Sequence, residues 1–273
     1  MVRIKKNELL SKHTSFKIGG PAKYFCETNT LEELKAALKY ANKNKLKIFI
    51  LGAGSNTLIS DDGFDGLVIH IKGAAGISLT KFLNYCGKNG FSGLEFLAGI
   101  PGSLGGAIYM NAGAYGKTIG EYIQNVHAID YSCRQFVFSR KQCGFGYRKS
   151  IFQKKKLVIT GAEFALQKCS SNKIRKLMKS IIKKRTKKQP YDLPSAGSFF
   201  KNPEGNYAAA LIEGANCKGA RVGDAMVSKK HANFIVNAGK AGYDDVIKLK
   251  DIVIGKVLDK YKIKLVPEVK FLE

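Results

Sequence analysis

The chain has 273 residues, of which 45% are hydrophobic and 25% are charged, a composition typical of a globular protein with roughly one to three domains. Its 46 Lys and Arg residues against 21 Asp and Glu residues give a formal net charge of +25, which attracts anionic partners. The sequence contains no apolar run of about 18 residues and no secretory signal pattern at its N-terminus. These features exclude a membrane-spanning helix and predict a cytoplasmic protein.

The cysteines and histidines offer no spacing typical of a metal site. Six cysteines occur without any C-x-x-C pair, and the chain has four histidines. No zinc-ligand pattern can be assembled from them. We therefore expect reduced thiols that pack as small hydrophobic side chains, with neither a structural metal nor a disulfide.

The basic residues are spread along the chain, and only residues 43–47 and 183–188 are dense in lysine. No aromatic-basic module of the kind that binds RNA is evident. The run at 183–188 falls at the end of a predicted helix, where cations interact favourably with the helix dipole. A solvated helix end explains this run better than nucleic-acid binding, and the wider lysine excess suits surface solvation or nucleotide phosphates.

The first part of the chain predicts a βαβ unit. Residues 22–27 read as a strand, Thr30 and Glu33 form a capping box that starts a helix, and strands follow at 47–51 and 66–71. Two strands separated by a helix indicate a parallel pair.

The middle part predicts a helix at 80–86 and then three stretches of period-two alternation at 126–130, 135–138 and 157–166. Such runs at this spacing indicate antiparallel strands, and this part is therefore of the α+β class.

The last part begins with a long amphipathic helix that Ser170 or Ser171 caps. A second helix is predicted at 244–261, with apolar residues on one face, and a closing strand at 265–271.

A glycine-rich loop, GAGSNT at residues 52–57, follows the strand at 47–51. Its backbone amides and short polar side chains suit a pyrophosphate. It is not a Rossmann fingerprint, because Thr57 stands in place of the third glycine, and it lacks the Gly-Lys-Ser/Thr of a P-loop. Alone it is a weak indication of nucleotide binding.

A second stretch at residues 99–116, GIPGSLGGAIYMNAGAYG, contains six glycines, one proline and no charge. Glycine adopts positive φ readily and lets a ligand contact backbone N–H groups. A buried turn without a ligand is an equally good interpretation of this stretch alone. Two glycine-rich loops in one chain, however, favour a dinucleotide.

Three polar residues in tight or extended segments are candidates for chemistry. Arg148 lies between aromatic residues, where a guanidinium can stabilise an oxyanion or a carboxylate, although a surface pairing role is common for arginine. Ser198 lacks the G-x-S-x-G pattern of a hydrolase nucleophile, and a turn or capping serine is the alternative. Glu268 is one carboxylate in a chain poor in acids, and a solvent-facing strand residue is its alternative.

Eight motifs occur in one order along the chain: HTSFKIGGPA at 13–22, LGAGSN at 51–56, GLEFLAGIPGSLGGA at 93–107, NAGAYG at 111–116, GYRKS at 146–150, GSFFKNP at 197–203, VSKKHANF at 227–234 and PEV at 267–269. Together they resemble the UDP-N-acetylenolpyruvoylglucosamine reductase family, flavoenzymes of bacterial peptidoglycan precursor synthesis. The motifs are long and collinear, and they span nearly the whole chain.

The resemblance implies FAD held by the two glycine-rich loops, with NADPH as the electron donor. Neither loop contains a His or Cys, so we expect the flavin to be bound non-covalently. The predicted cofactor contacts are Gly52, Ala53, Gly54, Ser55, Asn56, Thr57, Gly99, Ile100, Pro101, Gly102, Ser103, Gly105, Gly106, Ala107, Asn111 and Gly113.

The resemblance also implies reduction of the enolpyruvyl group of a UDP-sugar. Ser198 matches the family's proton donor, and Arg148 and Glu268 match the pair that stabilises the enolate-like intermediate. Substrate contacts are predicted at Tyr147, Lys201, Asn202, His231 and Asn233.

The implied fold is α+β, with FAD-binding subdomains at 1–72 and 73–168 and a substrate domain at 169–273. The chain after Ile71 is shorter than is usual in the family, which carries a further strand pair there, and it lacks an added insertion in the substrate domain. Another FAD-dependent oxidoreductase of the same fold is the alternative among enzymes, and a basic nucleic-acid-binding protein is supported only by charge. We expect a monomer without nucleic-acid or membrane partners.

Overall fold

The computed structural model describes residues 2–273, with the backbone alone at Ala74. The helices are Leu31–Lys43 (α1), Leu79–Lys88 (α2), Leu104–Tyr109 (α3), Ser171–Lys188 (α4), Ala208–Gly214 (α5) and Tyr243–Tyr261 (α6). The strands are Lys5–Leu9 (β1), Pro21–Thr28 (β2), Lys47–Leu51 (β3), Thr57–Ile59 (β4), Phe64–Ile71 (β5), Phe91–Ser92 (β6), Gly113–Ala114 (β7), Lys117–Thr118 (β8), Ile123–Asp130 (β9), Gln135–Ser139 (β10), Leu157–Phe164 (β11), Gln167–Lys168 (β12), Arg221–Val222 (β13), Ala225–Val227 (β14), Ile235–Asn237 (β15) and Lys270–Leu272 (β16).

The chain forms two compact units, each built from several segments. Unit one contains the residues up to Lys6 together with 24–53 and 65–185, and unit two contains 7–23, 54–64 and 186–273. These units divide the chain differently from the predicted segments 1–72, 73–168 and 169–273. Short early segments belong with the C-terminal part, which a shift in composition along the chain cannot reveal.

The first part of unit one contains the predicted βαβ elements. Strands β2, β5 and β3 lie side by side, and β3 pairs in parallel with β5. Thr30 caps α1 by accepting a hydrogen bond from the Glu33 amide. The buried face of α1 includes Leu34 and Leu38, which pack in one cluster with Leu67 of β5. Helix α1 lies between β2 and β3 in the chain, as predicted, but these two strands are not neighbours, because β5 lies between them and is the strand that pairs in parallel with β3.

The rest of unit one is built on an antiparallel sheet with the strand order β10, β9, β11. The three alternating stretches predicted from the sequence are these strands. Helices α2, α3 and α4 contribute Leu83, Ile108 and Ile174 to one buried cluster with Val126 of β9. The basic run at 183–188 lies in the last part of α4, as predicted.

Unit two is organised around α6. Val246, Leu249, Val253 and Val257 form its buried stripe and pack in one cluster that also contains Phe199. Burial of each such side chain stabilises the fold by about 1.5–3 kcal/mol. Around this core lie α5, the antiparallel sheet β13, β14, β15 and a parallel pair formed by β16 and β4.

The structure differs from three details of the sequence prediction. Helix α3 lies inside the glycine-rich stretch, where a loop was predicted, because a serine cap and tertiary packing outweigh the low helix propensity of two glycines. Thr57 begins strand β4 and is buried, although a loop was predicted there. The C-terminal strand is Lys270–Leu272, shorter than the predicted 265–271 and shifted toward the C-terminus.

The six cysteines are free thiols. Burial raises the pKa of Cys26 to about 12 and the pKa values of Cys86 and Cys143 to about 11. These three side chains therefore stay protonated at neutral pH and pack as small hydrophobic groups. Among the described residues, no helix is both long enough and apolar enough to span a membrane.

Candidate active site

The two glycine-rich stretches meet in unit one at Gly52 and Ser103. A Cβ added to Gly52 would lie 2.4 Å from Ser103 Oγ. Contacts that short are essentially absent from proteins, so any side chain at position 52 would displace Ser103. The structure thus brings together one residue from each predicted cofactor loop.

Two helices begin beside this contact. Ser78 caps α2 and Ser103 caps α3, and these two serines form an isolated antiparallel bridge. The Leu79 amide donates to the Gly102 carbonyl oxygen at 2.8 Å, and the Leu104 amide donates to the Ile77 carbonyl oxygen at 2.9 Å. The starts of α2 and α3 are therefore held side by side.

These features fit the pyrophosphate of a dinucleotide. Gly99 and Gly102 have φ values of +81° and +150°, conformations that glycine adopts at low cost. In α3, a Cβ added to Gly105 would lie 3.0 Å from the Ala75 carbonyl oxygen, and one added to Gly106 would lie 3.1 Å from Ser103 Oγ. Bare loop backbone beside helix starts, which carry partial positive charge, suits an anionic group. The remaining predicted contacts in these stretches are Ala53, Ile100, Pro101 and Ala107.

Arg148 occupies a strained turn in unit one. Gly146 and Lys149 exchange two backbone hydrogen bonds of 3.1 Å, so Tyr147 and Arg148 are the two residues of a tight turn. Arg148 has a φ of +52°, which is uncommon for a residue with a side chain. Its guanidinium carbon lies 5.4 Å from the centre of the Tyr147 ring. Strained backbone of this kind is frequent where a side chain must be aimed.

Two predicted cofactor residues contact the Arg148 turn. Arg148 Nη2 donates to the Gly113 carbonyl oxygen at 3.2 Å. Asn111 is buried, its Nδ2 donates to the Gly146 carbonyl oxygen at 2.8 Å, and its Oδ1 accepts from the Gly120 amide at 3.0 Å. In this structure Asn111 and Gly113 thus support Arg148, and a flavin contact for them stays a prediction.

In unit two, Ser198 and Glu268 lie on adjoining extended segments. The Glu268 amide donates to the Phe199 carbonyl oxygen at 2.8 Å, and the Lys201 amide donates to the Val266 carbonyl oxygen at 2.8 Å. Ser198 and Glu268 are each partly buried. The structure therefore places these two predicted catalytic residues on adjoining segments, although they are 70 positions apart along the chain.

The second half of the first glycine-rich loop also belongs to unit two. Asn56 Nδ2 donates to the Glu268 carbonyl oxygen at 3.3 Å, and the Asn56 carbonyl oxygen accepts from the Lys270 amide at 3.0 Å. Gly54 lies against residues 13–15, since a Cβ added there would lie 2.1 Å from the His13 carbonyl oxygen. Of the predicted cofactor residues in this half, Ser55 is partly buried, and Asn56 holds the peptide of Glu268.

Asn233 is bonded to the Ser198 segment. Its Oδ1 accepts from the Phe200 amide at 2.9 Å, its Nδ2 donates to the Phe200 carbonyl oxygen at 2.8 Å, and its own carbonyl oxygen accepts from the Phe199 amide at 2.8 Å. The residue is 4% exposed. A substrate contact was predicted for Asn233, but its polar atoms face backbone.

Two lysines give this part of unit two a positive character. Burial lowers the pKa of Lys270, and the charge of Lys201 lowers it further. Lys270 was not among the predicted site residues. The only signal for it in the sequence is its position two residues after Glu268. Asn202, by contrast, bonds the start of α5, since its Oδ1 accepts from the Ala208 amide at 3.0 Å.

His231 lies in a turn beside Asn233. Its Nδ1 accepts from the Asn233 amide at 3.3 Å, and its ring packs edge-on to Phe234 with a centroid distance of 4.9 Å. Burial lowers its pKa, and the charge of Lys218 adds to that effect. The ring is therefore neutral at pH 7 and carries its proton on Nε2, where it can donate to a ligand.

Comparison with known proteins gives matches to both halves of the chain. A FAD binding domain family matches residues 22–135, and the C-terminal domain of UDP-N-acetylenolpyruvoylglucosamine reductase matches residues 189–272. The structure is similar to the UDP-N-acetylenolpyruvylglucosamine reductase of Thermus caldophilus, with a TM-score of 0.87, 33% identity and 100% of each chain covered.

Two relatives carry the same name as that structure. The UDP-N-acetylenolpyruvoylglucosamine reductase of Lachnoclostridium phytofermentans is 42% identical over 99% of this chain and 93% of its own length. That of Clostridium novyi is 40% identical over 98% of this chain and 92% of its own length. The chain therefore belongs to the UDP-N-acetylenolpyruvoylglucosamine reductase family.

Proposed function

We propose that this chain reduces the enolpyruvyl double bond of UDP-N-acetylglucosamine enolpyruvate to give UDP-N-acetylmuramate, with NADPH as electron donor and FAD as cofactor. Family membership over nearly the whole chain supports the activity. The observation that carries the assignment of residues is the hydrogen bond from the Glu268 amide to the Phe199 carbonyl oxygen, because it fixes Ser198 and Glu268 on neighbouring segments.

We assign the FAD pyrophosphate to the loops that meet at Gly52 and Ser103. When bound, FAD supplies hydride transfer from NADPH to the substrate. The contribution of this chain is to hold the cofactor through bare backbone and the starts of α2 and α3. Retention of FAD therefore depends on the absence of side chains at Gly52, Gly105 and Gly106.

We assign the proton to Ser198. Reduction of the double bond adds a hydride to one carbon and a proton to its neighbour, and the hydroxyl of Ser198 holds that proton. A positioned donor of this kind typically contributes about 10²–10⁴-fold to a rate.

Arg148 is the proposed cation for the negative charge that develops on the substrate carboxylate. A fixed guanidinium offers a bidentate fork to a carboxylate, and preorganised charge of this kind is usually the largest catalytic effect. The hydrogen bond from Arg148 to Gly113 and the strained turn hold that fork in place without substrate. Glu268 is proposed as its partner in stabilising the intermediate.

We propose that the phosphates and carboxylate of the substrate contact the remaining polar residues of the site. Lys201 and Lys270 supply positive charge, and His231 offers Nε2–H as a neutral donor. Tyr147, which is 54% exposed, and Asn202 are the other predicted substrate contacts that we retain. The net charge of +25 suits a protein that handles polyanionic ligands. We further propose that the protein acts in the cytoplasm as a monomer.

A spectroscopic experiment tests the activity. The purified protein is expected to be yellow, to lose its visible absorbance on anaerobic addition of NADPH, and to regain it when the enolpyruvyl sugar is added. A protein that stays colourless after incubation with FAD contradicts the proposal. A yellow protein that NADPH bleaches but the sugar fails to re-oxidise indicates another flavin-dependent oxidoreductase.

A further inference from the structure

The segment that carries Ser198 is bonded on both of its edges. On one edge Phe199 accepts from the Glu268 amide and Lys201 donates to the Val266 carbonyl oxygen. On the other edge the backbone of Asn233 accepts from Phe199 at 2.8 Å, and the Asn233 side chain bonds both polar groups of Phe200 at 2.9 and 2.8 Å.

At this edge the side-chain amide of Asn233 makes the two hydrogen bonds that a neighbouring strand would make. Its Oδ1 takes the place of a backbone carbonyl and its Nδ2 the place of a backbone N–H, so Phe200 makes a two-bond pairing with one side chain. Phe199 and Phe200 are themselves buried. Because both edges are bonded and both rings are buried, the backbone of residues 199–201 has little conformational freedom. The backbone of Ser198, which directly precedes them, is therefore fixed as well.

We infer that Asn233 is a positioning residue that sets the place of the Ser198 hydroxyl relative to Glu268, and that it does not bind substrate. The inference rests on the proposed role of Ser198 as proton donor. The low exposure of Asn233, 4%, and the engagement of both its amide oxygen and its amide nitrogen argue against a ligand contact. A buried amide that completes its bonds with one peptide is suited to fixing that peptide.

The chain offers a matched control in Asn237. This residue is also in unit two and is 5% exposed. Its Oδ1 accepts from the Gly239 and Ala241 amides at 3.1 and 3.0 Å, and its Nδ2 donates to the Phe16 carbonyl oxygen at 3.4 Å. Asn237→Ala therefore removes a comparable buried amide with no side-chain bond to residues 198–201.

The test measures two rates separately in the FAD-loaded protein: reduction of FAD by NADPH and its re-oxidation by the enolpyruvyl sugar. The variants are Asn233→Ala, Asn237→Ala and Ser198→Ala, together with the double variants that combine Ser198→Ala with each of the other two. Asn233→Ala is expected to slow re-oxidation by the enolpyruvyl sugar by about 10- to 100-fold, because a misplacement near 1 Å has that cost. Bleaching by NADPH is expected to stay at the wild-type rate. The double variant Asn233→Ala/Ser198→Ala is expected to be no slower than Ser198→Ala, because Asn233 acts only through Ser198.

Each other outcome is informative. The positioning role is overturned if re-oxidation by the sugar slows equally in Asn233→Ala and Asn237→Ala. It is also overturned if Asn233→Ala/Ser198→Ala is slowed by the product of the effects of its two single substitutions. If re-oxidation is slow in Ser198→Ala but proceeds at the wild-type rate in Asn233→Ala, only the positioning role is overturned. If it proceeds at the wild-type rate in Ser198→Ala, the proposed function of Ser198 itself is overturned. If Asn233→Ala does not fold, Asn233→Asp keeps the acceptor for the Phe200 amide, and the same comparisons are made with a smaller expected loss.

Discussion

Arg148 donates a hydrogen bond from Nη2 to the carbonyl oxygen of Gly113 at 3.2 Å. The same glycine-rich stretch therefore serves two purposes in unit one. Its first part, around Ser103, meets Gly52 and begins α3, and its later part, at Asn111 and Gly113, holds the Arg148 turn. The proposed cofactor loop and the proposed substrate-activating residue Arg148 are thus joined by one continuous segment.

Replacement of Asn111 by Ala separates these two purposes. The loss of its bonds to Gly146 and Gly120 frees the Arg148 turn, so we expect re-oxidation by the enolpyruvyl sugar to slow by about tenfold or more. FAD content, measured as visible absorbance per protein after gel filtration, is expected to stay at the wild-type level. If Asn111→Ala loses FAD but the FAD-loaded fraction is re-oxidised by the sugar at the wild-type rate, this assignment is contradicted and Asn111 is a flavin contact.

Replacement of Gly52 by Ala tests the cofactor loop. The added Cβ would lie 2.4 Å from Ser103 Oγ, so this hydroxyl must move from its capping position on the Gly106 amide, and FAD retention is expected to fall. The control is Gly255→Ala in α6, where no atom lies within 4 Å of an added Cβ. That change is expected to keep FAD and to stabilise the helix by about 0.5–1 kcal/mol. Full FAD retention in Gly52→Ala contradicts the assignment.

Replacement of Asp61 by Ala tests how unit two is stabilised. The residue that caps α6 is Gly242, which has no side chain, and Asp61 Oδ2 instead accepts from the Tyr243 amide at 2.6 Å. Loss of such a cap typically costs about 0.5–2 kcal/mol, and we expect a loss of that size in the free energy of unfolding in urea. Asp62→Ala is the control, and an equal loss in both variants would show that Asp61 is no cap.

The neutral state of His231 predicts a pH dependence. Burial lowers the pKa of His231 in the folded protein, so the unfolded state binds the proton more readily. The contribution of this group to stability is complete above its unfolded pKa of about 6.5 and is lost as pH falls through the lower folded value. We expect the difference in unfolding free energy between the wild type and His231→Gln to shrink as pH falls from about 7.5 toward 5. A difference that is constant with pH contradicts this.

The sequence predicted the elements that local patterns encode. The helix after Thr30, the alternating strands from Val126 and the apolar stripe that includes Val246 follow from periodicity and capping, and all are confirmed. Helix α3 was missed because its two glycines lower its intrinsic propensity, while the Ser103 cap and packing that stabilise it depend on the fold.

The sequence indicated which residues form the candidate site, but it did not indicate which of them lie close together. Nothing local reveals that Lys270 pairs with Thr57, because that register joins positions 213 residues apart. The roles of Asn56, Asn111 and Asn233 were equally hidden, since an amide that suits a phosphate also suits a peptide. Only the fold shows that each of these three side chains bonds backbone at a proposed catalytic residue or two positions from one.

The central claim is that Ser198 supplies the proton in reduction of the enolpyruvyl group. Its most direct test is a single-turnover measurement on Ser198→Ala, with exposed Ser180→Ala in α4 as the control. We expect NADPH to bleach both variants at the wild-type rate, and we expect re-oxidation by the enolpyruvyl sugar to be lost almost completely in Ser198→Ala alone. Re-oxidation of Ser198→Ala at the wild-type rate would contradict the claim.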